Sequence, residues 1–288
     1  MIRTHIFTAI RFMAWLAPLA LALSACNLEK EINIELPEYE TRPSLECYLE
    51  PGKPFSLLLT KTAPYFEDFP TLDDNFLQNI LEDSATVVIR HNGQEYPLQN
   101  QFFFNPFSGK LYNYFSSVPV PEDFDHDFEL NIVTKTGKTI TATTRLLRTV
   151  PIDSVVVQFP EDDTLARVLT YFTDDRSQTN FYRRMIHQST LDSIPLQDFA
   201  LDDRFSETAR FVFGTNYEFA EGDTIINTLF HISRDYYDYF DSVQTAFFSN
   251  GNPFGQPSPI NSNLGGTANA IGIFTGLSYD RVTTIVRR

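Results

Sequence analysis

The chain has 288 residues, of which 42% are hydrophobic, 14% aromatic and 20% charged, with 22 Lys and Arg against 37 Asp and Glu. That length and apolar content supply a sizeable core without disulfide staples, in one large or two medium domains. A formal net charge of −15 repels nucleic acid and anionic membrane surfaces, so nucleic acid is excluded as a partner.

The first element in chain order is a targeting segment. MIRTHIFTAIR carries Arg3 and Arg11 and no acid, and the uncharged run 12–23 follows. A membrane-spanning helix takes about 20 apolar residues, so this shorter run reads as the apolar region of a signal peptide. Leu23-Ser24-Ala25-Cys26 then resembles the bacterial lipobox. In lipoproteins the cysteine thiol receives a diacylglycerol, the chain is cut just before it, and the new amino terminus is acylated, typically with palmitate. The expectation is therefore a lipoprotein signal peptide over 1–25 and lipidation at Cys26, whose several acyl chains anchor the protein to a membrane. Cleavage removes two arginines, leaving 20 basic (22 − 2) against 37 acidic residues, a net charge of −17 (20 − 37).

Residues 26–43, closed by prolines, read as an acidic tether. Asn27 is not the aspartate that retains enterobacterial lipoproteins in the inner membrane. The acids behind the cysteine look like the surface-export signal of Bacteroidetes lipoproteins, which places the protein on the outer membrane facing outward.

Period-2 alternation dominates the body. SLECYLEP and FSLLLTKT read as strands around a Pro-Gly-Lys-Pro turn, with Cys47 pointing into the core as a small apolar residue. A reactive thiol is the sharper alternative. An insertion, APYFEDFPTLDDNFLQNILED, follows, with a short helix possible over TLDDNFLQNILED. ATVVIRHNGQEYPL is a hairpin turning at Asn92-Gly93, and FELNIVTKTGKTITATT a hairpin turning at Gly137. The class is mainly β. Residues 44–150 are expected to form an immunoglobulin-like β-sandwich. Residues 151–288 are expected to form a second β-rich domain with one short amphipathic helix at about 234–248.

The second half offers strands at PIDSVVVQF, ARVLTYFTD, NFYRRMIHQST, RFVFGTN, TIINTLFHIS and GIFTGLSYDRVTTIV. In SRDYYDYFDSVQTAFF, Ser233 is the N-cap, and Tyr236, Phe240, Val243 and Phe247 share one helical face. Tyr237 and Tyr239 lie off that face. They are either an exposed aromatic platform for a partner or glycan, or, as the favoured reading, a second packed face.

Sites of chemistry are scarce. Gly137-Lys138-Thr139 lacks the first glycine of a phosphate loop, since Ile132 stands there. Asp123, Asp125, Asp127 and Glu129 alternate like the start of a calcium loop, but Phe128 replaces its glycine and Thr134 its final glutamate. A solvated turn is the better reading. His91, His126, His187 and His231 share no metal-binding spacing. No catalytic residue, metal site or cofactor is assigned.

The order of SRDYYDYFDSVQTAFF, Gly-Asn-Pro-Phe, Pro-Ser-Pro, Ser-Asn and Gly-Ile-Phe resembles the Bacteroidetes lipoprotein family "domain of unknown function 4249". LECYLEPGKPFSLLLTKT, ATVVIRHNGQEYPL, the Val-Pro-Ile hinge at 150–152 and NFYRRM extend the likeness along most of the chain. GGTANAIGIF departs from it, in place of a shorter glycine-rich link. The resemblance implies an accessory surface lipoprotein partnered with an outer-membrane TonB-dependent receptor in nutrient uptake, without catalysis. The alternatives are a surface hydrolase of glycan or peptide, and an adhesin or envelope-structural protein. Tyr237, Tyr239, Asn252, Pro253 and Phe254 form the candidate binding surface, against the plainer reading that the 251–274 stretch only covers the second domain.

Overall fold

The structure is a computed structural model, and it describes residues 41–62, 80–105, 110–161, 164–205, 208–250 and 258–288. Among them no helix is long and apolar enough to cross a membrane. The expected helix in the insertion lies almost wholly outside the described residues.

The first half folds as the alternation dictates. In β1 (Pro43–Leu49), Leu45, Cys47 and Leu49 are fully buried, and in β2 (Pro54–Lys61), Phe55, Leu57 and Leu59 face the same core. β3 (Thr86–His91) and β4 (Gln94–Asn105) meet at Asn92-Gly93, whose φ values of 47° and 76° are those of a two-residue hairpin turn. β4 is long enough to serve two neighbours. Residues 94–98 pair with β3, and Gln99 onward pairs with β5 (Lys110–Pro119). β6 (Phe128–Val133) and β7 (Thr139–Thr144) form the next hairpin. No element was expected over 99–119, because its apolar residues run consecutively rather than in alternation.

The sheet acquires its eighth strand from the far end of the chain. β14 (Ile271–Gly276) pairs in parallel with β1, giving the order β14-β1-β2-β5-β4-β3-β6-β7. The segment before β14 then ties both edges together. Thr141 and Gly265 exchange backbone hydrogen bonds at 3.0 and 2.7 Å. The Asn263 side chain meanwhile accepts from Phe274 N and donates to Phe274 O, at 3.0 and 2.7 Å. An open sheet edge is thus replaced by a nearly closed, barrel-shaped sheet. Its interior holds Leu45, Leu57, Leu59, Ile89, Phe128, Ile132, Ile140 and Phe274. The mainly β class holds. The immunoglobulin-like arrangement is a finer description than this strand order carries.

The boundary expected at 150/151 falls between β7 and β8 (Ile152–Gln158). Beyond it a three-stranded sheet, β12-β9-β8, combines β8 with β9 (Arg167–Thr173) and β12 (Arg210–Gly214). A four-stranded sheet, β11-β10-β13-β15, combines β10 (Phe181–Gln188), β11 (Gln197–Asp202), β13 (Thr224–Ile232) and β15 (Ser278–Ile285). Two apolar clusters lie between these sheets, one around Val168, Ile186 and Ile225, the other around Phe172, Tyr182 and Leu229. Arg184 is buried beside them, and among the described residues its hydrogen-bond partners are Thr170, Asn227 and Gln197, with no carboxylate. Burial lowers its pKa to about 10, which still leaves it charged at neutral pH.

The helix α1 (Arg234–Asn250) forms where its cap and periodicity place it, with Tyr236 N donating to Ser233 Oγ at 3.2 Å. Tyr236 is buried against Tyr48 of β1, and Arg183 of β10 stacks over Phe240 with its guanidinium 4.5 Å from the ring centre. Phe247 departs from expectation. It belongs to the apolar face by spacing, yet it is 76% exposed, and its neighbour Phe248 is 73% exposed.

Candidate functional site

The linker 145–150, between β7 and β8, crosses one end of β10 and β13 and leaves a cleft of about 360 Å³. Its walls are Phe124 and the linker on one side, and Asp175, Gln178, Asn180, Tyr182 and His231 on the other. The floor is polar by construction. Asn180 stands just before β10, and His231 is the last but one residue of β13, so the register sets Tyr182 opposite His231.

A buried hydrogen-bond chain holds these groups in place. Asp174 Oδ1 accepts from Tyr182 Oη at 2.6 Å and from Asn180 Nδ2 at 3.0 Å. Its other oxygen, Oδ2, is buried without a hydrogen-bond partner and lies 3.9 Å from Arg176 Nη1. Burial pushes the Tyr182 hydroxyl well up, and the Asp174 contact adds to it, so Tyr182 remains a donor. His231 Nδ1 lies 2.8 Å from the Arg148 carbonyl, and its Nε2 lies 3.1 Å from Asn180 Oδ1. Burial, the largest influence, lowers the His231 pKa below the usual 6.5, against smaller raising effects of the Arg148 carbonyl and Asp174. The neutral ring therefore donates from Nδ1 to Arg148, the shorter contact.

The sequence-flagged acidic loop forms the outer lip. Asp123 Oδ1 accepts from the backbone N–H of Asp125 at 2.9 Å and of His126 at 3.3 Å, a self-capped turn. Its Oδ2 meets His126 Nδ1 at 2.8 Å and His91 Nε2 at 3.2 Å. The Asp125 N–H, then the His126 side chain, hold the Asp123 carboxyl down at about 2. Arg145 pairs with Asp127, and Arg148 pairs with Asp125 while lying over the Phe124 ring. Among the described residues no group of three His, Cys, Asp or Glu is placed to hold a metal ion.

The sign of the histidine effect gives a pH prediction. His231 and His187 both have pKa values lowered by burial, so below about pH 6.5 the unfolded chain binds protons that the folded chain refuses. Stability is expected to be level above that pH and to fall as the pH drops below it. The carboxylates held low, Asp123, Asp175 and Asp202, add a second loss only below their usual value of 3.8. Thermal unfolding between pH 8 and 5 checks this, and His231→Gln should flatten the slope. A pH-independent midpoint across that range would contradict it.

The family model described as "Domain of unknown function (DUF4249)" matches residues 29–283.

The chain belongs to that family.

The matched region covers every described strand up to all but the last two residues of β15, and with them the whole cleft. No curated protein matches the chain. Among solved structures, it is similar to dimeric latent PorU from Porphyromonas gingivalis, at 10% identity and a TM-score of 0.21. That match covers 67% of this chain and 19% of the other, so the chain spans about a fifth of that protein's length.

Cys26, Asn252, Pro253 and Phe254 lie outside the described residues. Tyr237 and Tyr239 of this family member are half-buried, packed against the cluster of Phe181, Phe230 and Tyr236. The Tyr237 ring centre lies 5.1 Å from that of Phe181. Burial raises both hydroxyls' pKa values. Cys47 is fully buried and its thiol is pushed far up, so it acts as core. Gly137 and Lys138 form a hairpin turn in which Thr134 N donates to the Lys138 carbonyl at 2.8 Å. None of these described residues lines the cleft. The residues that build the cleft, Asp174, Asn180, Tyr182 and Arg148, carry no motif. Their only sequence signal is position: Asp174 ends ARVLTYFTD, Asn180 and Tyr182 lie in NFYRRM, and Arg148 stands two residues before the Val-Pro-Ile hinge.

Proposed function

We propose that this protein is a lipid-anchored lipoprotein of the outer-membrane surface, a non-catalytic accessory component of a TonB-dependent nutrient uptake system. Family membership over 29–283, starting three residues behind a lipobox cysteine at Cys26, carries the reading. The net charge of −17 supports anchorage by lipid rather than by surface electrostatics. The cleft supports capture rather than turnover. The one ring proton of neutral His231 is committed to the Arg148 carbonyl, 2.8 Å from Nδ1, which ties the ring to the linker as a structural group. The cleft volume falls in the range of small-molecule sites, and Arg145, Arg148, Asn180 and Gln178 offer polar contacts to a ligand lying on Phe124. The finer architecture, an immunoglobulin-like unit over 44–150 holding out a second β-rich unit, belongs to the same proposal.

The test is a mild-detergent pull-down of the tagged, lipidated protein from its own outer membrane, followed by mass spectrometry. A stoichiometric TonB-dependent receptor is the expected result. Repeated recovery of the lipoprotein alone would overturn the partnership.

A further inference from the structure

Several large aromatic side chains stand exposed, and the strand registers bring them to one end of the molecule. Phe104 pairs with Leu111 and Phe103 with Tyr112, at the beginning of β5. Asn113 of β5 clamps the Leu59 backbone from the side, its Oδ1 accepting from Leu59 N at 2.8 Å and its Nδ2 donating to Leu59 O at 2.9 Å. Leu59 in turn pairs with Leu45 and Lys61 with Pro43, the first residue of β1. The row from Phe104 across the sheet therefore ends where the chain enters the body at Thr41.

Helix α1 reaches the same end. Ser233, before its first turn, touches Thr275, and Ser242 accepts from Asn261 N at 2.9 Å. The next residue, Ser262, donates to the Gly272 carbonyl at 2.8 Å, beside Leu45. The helix thus runs antiparallel to β14, and its last turn, with Phe247 and Phe248, lies level with the start of β1. Exposures here are 41% for Phe103, 51% for Phe104, 76% for Phe247 and 73% for Phe248.

The stretch 96–105 of β4 contains no ionisable side chain except Tyr96. Lys61 is paired with Glu82, Lys110 with Glu46, and Asp83 accepts from Asn100. An end carrying exposed aromatic rings is suited to a zwitterionic lipid interface, where aromatic side chains settle at headgroup level. Fourteen residues, 27–40, separate Cys26 from Thr41, so full extension holds Thr41 within about 50 Å of the lipid.

We infer that Phe103, Phe104, Phe247 and Phe248 form a membrane-docking end that rests on the bilayer to which Cys26 is attached, an inference that depends on the lipid-anchor reading above. Docking fixes the orientation of the body and lifts the opposite end of β1 and β5 away from the lipid.

The sequence supplies a clean probe. The single tryptophan, Trp15, lies within residues 1–25, so the processed protein has none. Phe103→Trp, Phe248→Trp and, as control, Val118→Trp are made in the full lipidated protein. Val118 is 45% exposed and lies about 23 Å along β5 from Leu111. Each variant is reconstituted in phosphatidylcholine vesicles with and without brominated acyl chains. The expected result is at least twofold stronger quenching at positions 103 and 248 than at 118, with a blue-shifted emission at the first two. Equal quenching at all three, or none at 103 and 248 while the protein still floats with the vesicles, overturns docking. In the second case, crosslinking from position 103 in native membranes shows whether a protein covers this end instead. Failure to float, with no acyl label on Cys26, removes the anchor and the docking together.

Discussion

Replacing Gly272 by alanine is expected to destabilise the protein by about 4 kcal/mol or more, among the largest effects a single methyl can have. Gly272 sits in β14 with φ of +130°, a conformation that side chains rarely adopt. A Cβ there would lie 1.9 Å from the Leu45 carbonyl oxygen and 2.8 Å from its carbon. Neither contact is with a flexible side-chain end, so relief requires β14 to leave β1. That movement also releases the 263–265 strap holding β7, and the core loses its wall at Phe274. Gly137→Ala is the matched control. Its φ of +79° is also left-handed, but no atom lies within 4 Å of the added methyl. The control should lose only the backbone penalty of about 1–2 kcal/mol. Urea unfolding of both variants separates clash from conformation, and equal midpoints would refute the closure argument.

The second large effect is expected at Asp174. Asp174→Ala removes the acceptor of the buried Tyr182 hydroxyl, and burial without a partner costs about 1–3 kcal/mol. Asn180 Nδ2 keeps its bond to the Asp175 carbonyl at 2.8 Å, so it is spared the full loss. With the small void added, about 3 kcal/mol is expected, which for a body of this size lowers the Tm by about 6–12 °C. Asp174→Asn keeps the acceptor for both neighbours but gives up the charge beside Arg176 and buries an unpaired amide, so it should cost about 1–2 kcal/mol, less than Asp174→Ala. Tyr182→Phe completes a double-mutant cycle, for which a coupling of about 1–3 kcal/mol is expected. Additive losses would mean that the two groups do not act as one unit. The cleft would then be held by the linker alone.

Much of this fold could be read along the chain. Asn92-Gly93, the alternation through Cys47, and the cap at Ser233 are local features, and each became the turn, strand or helix that its residues prefer. The stretches that escaped reading lack a local period. β5 carries consecutive apolar residues, Phe103 and Phe104 stand in an exposed strand where alternation predicts one face in and one out, and β11 is short and half-buried throughout most of its length. Phe247 shows the converse. It has the right helical spacing, but periodicity says nothing about what the rest of the fold places against the last turn of a helix.

The sequence by itself determined the protein's mainly β character, its hairpins, its helix and its family, because propensity, turn chemistry and motif order act over a few neighbouring residues. Only the tertiary structure decided that β14 returns to β1 from the far end of the chain, that the 263–265 strap nearly closes the sheet, and that Asp174, Tyr182 and His231 converge beneath Arg148. These contacts join residues distant in the chain, and the packing and hydrogen bonding that select them exist only once the strands are assembled.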